Sequence, residues 1–382
     1  MEPFKNLINA PLVRTAAGHL QRVQPDFDAR RFTALATTGL DALEMKARAM
    51  QIASALEATL PEAFSSAAAT LQAALAPAAD HERLAELHRN DEGLAGWVLW
   101  GVGEYVARRG MAEPKRALAL LAELTQRFSA EFAIRPFIVA HPALAFATLQ
   151  GWTAHGSSHV RRLVSEGSRP RLPWGLQLKA LIADPSPTLP LLLALQDDHS
   201  EYVRRSVANH LNDIAKDHPA LVAQWLEEHL PDAPAARRAL LKHASRTLVK
   251  KGDARVLKAW GLGAPLRGSA SLALQPARVK LGGALQLNLQ LQSTAAKPQR
   301  LVIDYAVHHV KADGSLSPKV FKGWNIELPA RGDLALVKRH SLKPITIRRY
   351  HAGRHEVEVM VNGRVESAAS FELTIPRGAK QT

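Results

Sequence analysis

Three carboxylates, Glu131, Glu166 and Asp213, are the residues whose placement invites a chemical reading. Glu166 lies in Val164-Ser165-Glu166-Gly167, where Gly167 reads as the C′ residue that ends a helix. A carboxylate in a last helical turn opposes the macrodipole, at about 0.3–1 kcal/mol. A compensating cation is therefore expected, either a cationic ligand or a neighbour such as Arg169 or Arg171. Asp213 falls in Ala208-Asn209-His210-Leu211-Asn212-Asp213-Ile214. Asn and Asp are each roughly 0.6 kcal/mol worse than Ala inside a helix. Arg205, Asn209 and Asp213 are four apart and share a face. Either that face is kept for chemistry, or the helix frays ahead of Asp217-His218-Pro219. Glu131, in Ser129-Ala130-Glu131-Phe132, reads as the first turn of a helix capped by Ser129, where a carboxylate is favourable in any case.

Basic and aromatic residues accompany these acids. His159-Val160-Arg161-Arg162-Leu163-Val164 recurs 43 residues later as Tyr202-Val203-Arg204-Arg205-Ser206-Val207, with a looser copy at Ala133–Ile138. Arginine repeated on one helix of each unit suits a groove that tracks phosphates; pairing with an acid of the next unit is the alternative. Trp97, Trp100, Trp152 and Trp174 lie in the same region. A Trp is usually core, but Trp174 follows Arg169-Pro170-Arg171-Leu172-Pro173, a stiff basic loop, and there an indole can stack on a base or face a cation.

Two kinds of element must position these residues. Up to about residue 262 the chain is rich in Ala and Leu at helical spacing, as in Val203-Val207-Leu211-Ile214. A repeat near 40 residues in helical sequence predicts an α–α superhelix of HEAT-like repeats over residues 1–262. Beyond Gly261-Leu262-Gly263-Ala264-Pro265 the pattern alternates. Leu285, Leu287, Leu289 and Leu291 interleave with Gln286, Asn288, Gln290 and Gln292, a strand with one wet face. Similar stretches at 300–309, 334–340, 355–361 and 370–375, with turn signals such as Asp313-Gly314 and Asn362-Gly363, predict an immunoglobulin-like β-sandwich over 266–376. His308-His309 in one of these strands reads as surface.

The 382 residues exceed one ordinary core, so two domains are expected. Lys and Arg outnumber Asp and Glu by 49 to 35, a net charge of +14 that suits a polyanion. Residues 266–382 hold 18 basic against 8 acidic residues, +10 of that surplus. Solubility is one reading of this excess and DNA contact the other. Within it, Arg348, Arg349 and Arg354 flank Tyr350 and His351 at a strand junction, suited to phosphates or a minor groove. There is no cysteine, which excludes disulfides, thiolate metal sites and a cysteine nucleophile. No Gly-rich phosphate loop or metal-ligand spacing is present. The opening MEPFKNLINAPLVRT has no apolar core of a signal peptide, and the longest apolar run, Leu189–Leu195, is far short of a bilayer span. The expectation is a soluble, cytoplasmic protein without membrane partner.

The run from Glu166 to Trp174-Gly175, that from Ser200 to Pro219, and the opening Glu2-Pro-Phe-Lys-Asn-Leu-Ile together resemble the AlkC family of DNA alkylation-repair glycosylases. The resemblance covers residues 1 to about 262, and the β-rich tail fits the branch carrying an immunoglobulin-like domain. It implies hydrolysis of the N-glycosidic bond of cationic bases such as 3-methyladenine and 3-methylcytosine in double-stranded DNA. It also implies no metal or nucleotide cofactor and no flipping of the lesion. The family's acidic residues fall on Glu131, Glu166 and Asp213. In that reading Asp213 stabilises the sugar cation and orients water, flanked by Glu166 and Glu131, while Trp174 and Arg169 contact the damaged nucleotide. Arg161, Arg162, Arg204, Arg205 and Asn209 join Arg348, Arg349 and Arg354 as expected DNA contacts; a repeat stack that embraces DNA is commonly a monomer, and a monomer is expected here. A non-catalytic DNA-binding stack and a protein-scaffold module are the alternatives.

Overall fold

Apolar residues at helical spacing, punctuated by caps and prolines, divide the first two-thirds of the chain into short helices. The computed structural model describes residues 3–79, 81–82, 91–345 and 348–375. Among these are sixteen α-helices. The first eight are α1 (Ala10–Val23), α2 (Ala29–Thr37), α3 (Met45–Glu57), α4 (Phe64–Ala73), α5 (Val98–Arg109), α6 (Pro114–Thr125), α7 (Arg135–Ala140) and α8 (Pro142–Trp152). The rest are α9 (Ser158–Gly167), α10 (Lys179–Ala183), α11 (Leu189–Leu195), α12 (Glu201–Asp217), α13 (Pro219–His229), α14 (Ala235–Ala244), α15 (Arg246–Lys251) and α16 (Ala254–Ala259). Asn9, Asp28, Ser200 and Asp253 accept a backbone N–H at the starts of α1, α2, α12 and α16. Proline occupies the first turn of α1, α6, α7, α8 and α11, where its missing N–H costs nothing.

The 43-residue sequence repeat is a structural repeat. Its two copies lie on α9 and α12, which follow Ser157 and Ser200 in the same extended conformation and pack against each other. Val160, Leu163, Val164, Val203, Val207 and Leu211 are fully buried. α12 packs in turn on α14, and earlier in the chain α3 packs on α5. A helix that presents one face to each flanking helix must be buried on two sides, and α12 carries ten buried residues of its 17.

Contacts divide the chain into two compact units. One holds the described residues up to His218 together with Ala233–Ala244; the other holds Pro219–Asp232 and the described residues from Ser245 onward. The change from helix to strand falls between α16 and β1 (Gly268–Gln275), across the Gly/Pro joint, while α13, α15 and α16 group with the strands.

In the second unit, β1, β3 (Ala284–Ser293) and β6 (Asp333–Ser341) form an antiparallel sheet in the order β1-β3-β6. A second sheet has the order β2 (Arg278–Lys280), β8 (Arg364–Thr374), β7 (Gly353–Val361), β4 (Gln299–Val310), β5 (Leu316–Leu328). HEAT-like helical repeats followed by an immunoglobulin-like sandwich, the expected class, is the observed one. The four alternating leucines of β3 are buried, as the pattern required. β5 was not legible, because it is an edge strand whose two faces are similarly half-exposed and whose alternation is blunted. The reading of His308-His309 as surface is corrected. His308 bonds Glu358 at 2.8 Å, and His309 is buried with its Nε2 accepting from Arg348 at 2.6 Å.

α15 and α16 meet the sandwich through two glycines. Gly252, in the left-handed region as the C-terminal residue after α15, faces Gly363, also left-handed, in the β7–β8 turn. A Cβ on Gly363 would lie 2.7 Å from the Gly252 Cα. Beside them, Asn362 donates to the Ala264 carbonyl at 2.9 Å and accepts from the Val302 N–H at 2.9 Å.

Candidate active site in the helical region

The last turn of α9 is where the site begins. A helix leaves its final carbonyls without partners, and each needs a donor when buried. Here each has its own. The Val164 carbonyl accepts from Ser168 Oγ at 2.6 Å, Ser165 from His210 Nδ1 at 2.8 Å, Glu166 from the Arg169 N–H at 3.4 Å, and Gly167 from Arg135 Nη1 at 2.8 Å. A carbonyl only accepts, so His210 carries its proton on Nδ1; burial pushes its pKa down to about 4 and keeps it neutral. Gly167 does not stand outside the helix as a C′ residue. It is the last helical residue, and a Cβ there would meet Ile134 Cγ2 at 2.6 Å, so close packing is what requires glycine.

This fixed turn aims Glu166 into a chain of alternating charges. Arg169 donates from Nη1 to Glu166 Oε1 at 2.5 Å and from Nε to Asp213 Oδ2 at 2.8 Å, so one guanidinium bridges two carboxylates. Ser206 Oγ donates to Glu166 Oε2 at 2.6 Å and itself accepts from Ser165 Oγ at 2.6 Å. Arg162 stands 3.9 Å from Glu166 Oε2, donates to Glu131 Oε2 at 2.9 Å and lies over the Tyr202 ring. At the other end, Lys216 Nζ donates to Asp213 Oδ1 at 2.7 Å. The order is Glu131, Arg162, Glu166, Arg169, Asp213, Lys216. The three predicted carboxylates are thus brought together.

Burial sets the character of this chain. The Glu131, Glu166 and Asp213 side chains are only 15%, 7% and 2% exposed. Burial alone would raise the Glu166 carboxyl, but the Arg162 and Arg169 guanidiniums and the Ser206 hydroxyl outweigh it and hold it below the usual range. Arg162 and Arg169 are correspondingly held cationic by these acids against their own burial. Lys216, 44% exposed, is the solvent-side member of the chain.

Glu131 departs from expectation in its element. It lies in a turn closed by the Ile134 N–H on the Ala130 carbonyl, ahead of α7, and Ser129 Oγ bonds the Glu131 carboxylate instead of capping a helix. The bulky Phe132 that follows is stacked on Trp100 at 4.9 Å, which holds the turn in place. Trp100 lies parallel to Trp174, with ring centres 6.5 Å apart. Trp174 itself is 66% exposed with φ of 63°, a left-handed conformation rare for a bulky residue. Phe4, half exposed, meets Trp97 edge-on and approaches Trp174 at 6.4 Å, so the first turn of the chain contributes to this aromatic wall.

The remaining predicted contacts divide. Arg161 is buried in a two-point pair with Asp198, at 2.6 and 3.0 Å, and also bonds the His155 and Gly156 carbonyls. It braces adjacent repeats, the alternative considered for these arginines, and is unavailable to phosphates. Arg204 bonds the Asp198 carbonyl at 2.5 Å. Arg205 is exposed, and Asn209, half-buried, pairs with His243 at 2.8 Å, so the expected common face with Asp213 grades from solvent to interior. Arg171 pairs with Asp217 and not with Glu166. In the sandwich, Arg348 is anchored on His309, while Arg349 and Arg354 are exposed, the latter bonded to Ser370 at 3.2 Å.

Sequence reasoning passed over Arg135, His210, Ser206 and Lys216. Arg135 had a signal in the looser third copy of the repeat, and Lys216 in its spacing of three from Asp213. Ser206 and His210 had none, since both act across to α9.

Fold and site define a helical-repeat protein with a buried acidic centre, joined to an immunoglobulin-like sandwich. Residues 268–375 match the family described as the C-terminal Ig-like domain of uncharacterised protein YhaZ. The Bacillus subtilis (strain 168) protein YhaZ is 35% identical over 377 residues, covering 98% of this chain and all of that protein. The structure of Pseudomonas fluorescens alkylpurine DNA glycosylase AlkC, bound to DNA containing an abasic site analogue, is 36% identical with a TM-score of 0.88. It covers 98% of this chain and all of its own. The chain belongs to the AlkC/YhaZ family.

Proposed function

We propose that the protein is a DNA glycosylase that removes cationic alkylated bases, such as 3-methyladenine and 3-methylcytosine, from double-stranded DNA. The observation that carries this reading is the Arg169 bridge, in which one guanidinium holds the buried Glu166 and Asp213 carboxylates together. The likeness in sequence and fold to an alkylpurine DNA glycosylase supports it.

The chemistry follows from charge. Alkylation at N3 makes the base cationic, so it leaves with the C1′–N electron pair without prior protonation. The positive charge then passes to the sugar as an oxocarbenium-like cation. Carboxylates beside C1′ stabilise that cation, in the manner of glycosidase acids. Water attacks C1′, its oxygen forming the new C–O bond, and Asp213 accepts its proton. Glu166 and Glu131 flank the sugar, and the lesion stays in the duplex with Trp174 available for contact. Lys216 is the cation a sugar would replace on Asp213 Oδ1, because it is the exposed member of the pair. DNA phosphates offer the displaced ammonium a new partner.

Incubation with methylated duplex DNA, followed by chromatography of released bases, tests this. Free 3-methyl bases are expected, with none released from unmodified DNA. Binding to methylated DNA without release would instead mark a non-catalytic DNA-binding stack.

A further inference from the structure

Arg135 is the most thoroughly buried cation near the site, with no exposed surface, yet among the described residues no carboxylate hydrogen-bonds it. Its guanidinium is spent on main chain. Nη1 donates to the Gly167 carbonyl at 2.8 Å, Nη2 to Pro170 at 3.5 Å, and Nε to Leu176. These carbonyls span the loop that leaves α9, the loop that carries Arg169 and Trp174. The same loop is closed by the Gly175 N–H on the Leu172 carbonyl at 3.2 Å and the Leu178 N–H on the Pro170 carbonyl at 3.1 Å. Gly175 packs against the clamp: a Cβ there would lie 3.4 Å from Arg135 Cδ and Nε and 3.1 Å from Leu172 Cδ2. The left-handed Trp174 stands next to it.

Burial and the Arg169 charge disfavour the Arg135 cation more than the nearby Asp213, Glu131 and Glu166 favour it, so its presence needs another reason, and a planar fork of donors has a use that a point charge lacks. It can reach several diverging carbonyls at once. Isolated packing needs would be met by an apolar side chain.

We infer that Arg135 is a positioning residue: one guanidinium clamps the 167–176 loop so that Arg169 bridges Glu166 and Asp213 and Trp174 is held in its left-handed conformation. The consequence for excision rests on the proposed glycosylase reading; the clamp itself does not. Arg135 enters no bond-making step.

The test compares wild type, Arg135→Lys and Arg135→Met, the last keeping an unbranched apolar stem without the fork of donors. Lysine keeps the charge but cannot span three carbonyls. Hydrogen exchange at the Gly175 and Leu178 amides is expected to quicken about 10-fold or more in both variants, with α5 and α6 unchanged. Single-turnover excision of 3-methyl bases is expected to fall about 10- to 100-fold, with affinity for methylated DNA within about 2-fold of wild type. Unchanged exchange at both amides in a folded variant overturns the clamp. Faster exchange with an unchanged excision rate overturns the positioning role. If Arg135→Lys does not fold, Arg135→Met decides both points. Absence of base release by wild type would refute the glycosylase reading instead, and exchange would still decide the clamp.

Discussion

Glu166 shows how much one buried carboxylate can hold together. Its oxygens meet Arg169, Ser206 and, more distantly, Arg162. Removing one partner of a buried ion pair leaves the other uncompensated, at about 3–5 kcal/mol. Glu166→Gln, which keeps the shape but not the charge, is expected to lower stability by about 3 kcal/mol in urea unfolding at neutral pH. The sign of its pH dependence is fixed. The folded carboxyl titrates below the ordinary Glu value, so its contribution is complete above about 4.3 and is lost as pH falls through the lower folded value. The stability gap between wild type and variant should therefore be constant near neutrality and close in acid. At this scale the sequence was informative about which acids matter, because Glu166 and Asp213 break helical rules. It was silent about what neutralises Asp213 from both sides, since Arg169 and Lys216 reach it from different elements.

Elements carry two further expectations. Three buried histidines, His309, His340 and His355, lie within the sandwich. Burial, then Arg348 and neighbouring histidines, pushes His309 down to about 3; burial and Arg348 push His340 down to about 4. Neutral in the folded state, these imidazoles would take up protons near pH 6.5 if unfolded. Their contribution is therefore complete above about pH 6.5 and declines as pH falls toward the folded values. Thermal unfolding of the full chain should show a transition temperature falling through this window, with a shallower fall in His309→Gln. A constant transition temperature would contradict it. The joint between α15 and the β7–β8 turn makes the second expectation. Gly363→Ala forces a left-handed alanine against Gly252 and is expected to cost about 1–3 kcal/mol, read as a lower unfolding temperature. The helical region and the strands β3, β4, β6, β7 and β8 were legible from period. The grouping of α13, α15 and α16 with the strands was not, because it depends on contacts between residues far apart in sequence.

Over the whole molecule, charge is concentrated where the strands are: +10 of the +14 belongs to residues 266–382. On the proposed reading this surplus contributes phosphate contacts, and Arg349 and Arg354 are two exposed members at the start of β7. Replacing both by Ala should make the dependence of log affinity on log salt shallower by about 1–2. An unchanged slope would place the contacts elsewhere. The Arg161 brace illustrates the limit of reading such charges from sequence. The second arginine of the same motif joins the acidic chain as Arg162 yet reaches solvent as Arg205, and only the neighbouring repeat decides which.

Asp213 carries the proposed chemistry most directly. Single-turnover release of 3-methyladenine from methylated duplex DNA, measured for wild type and Asp213→Asn alongside their DNA affinities, is the deciding measurement. The expected result is near-complete loss of release, on the order of 100-fold or more, with binding retained. Equal rates for the two proteins would contradict the assignment of the sugar cation to this carboxylate.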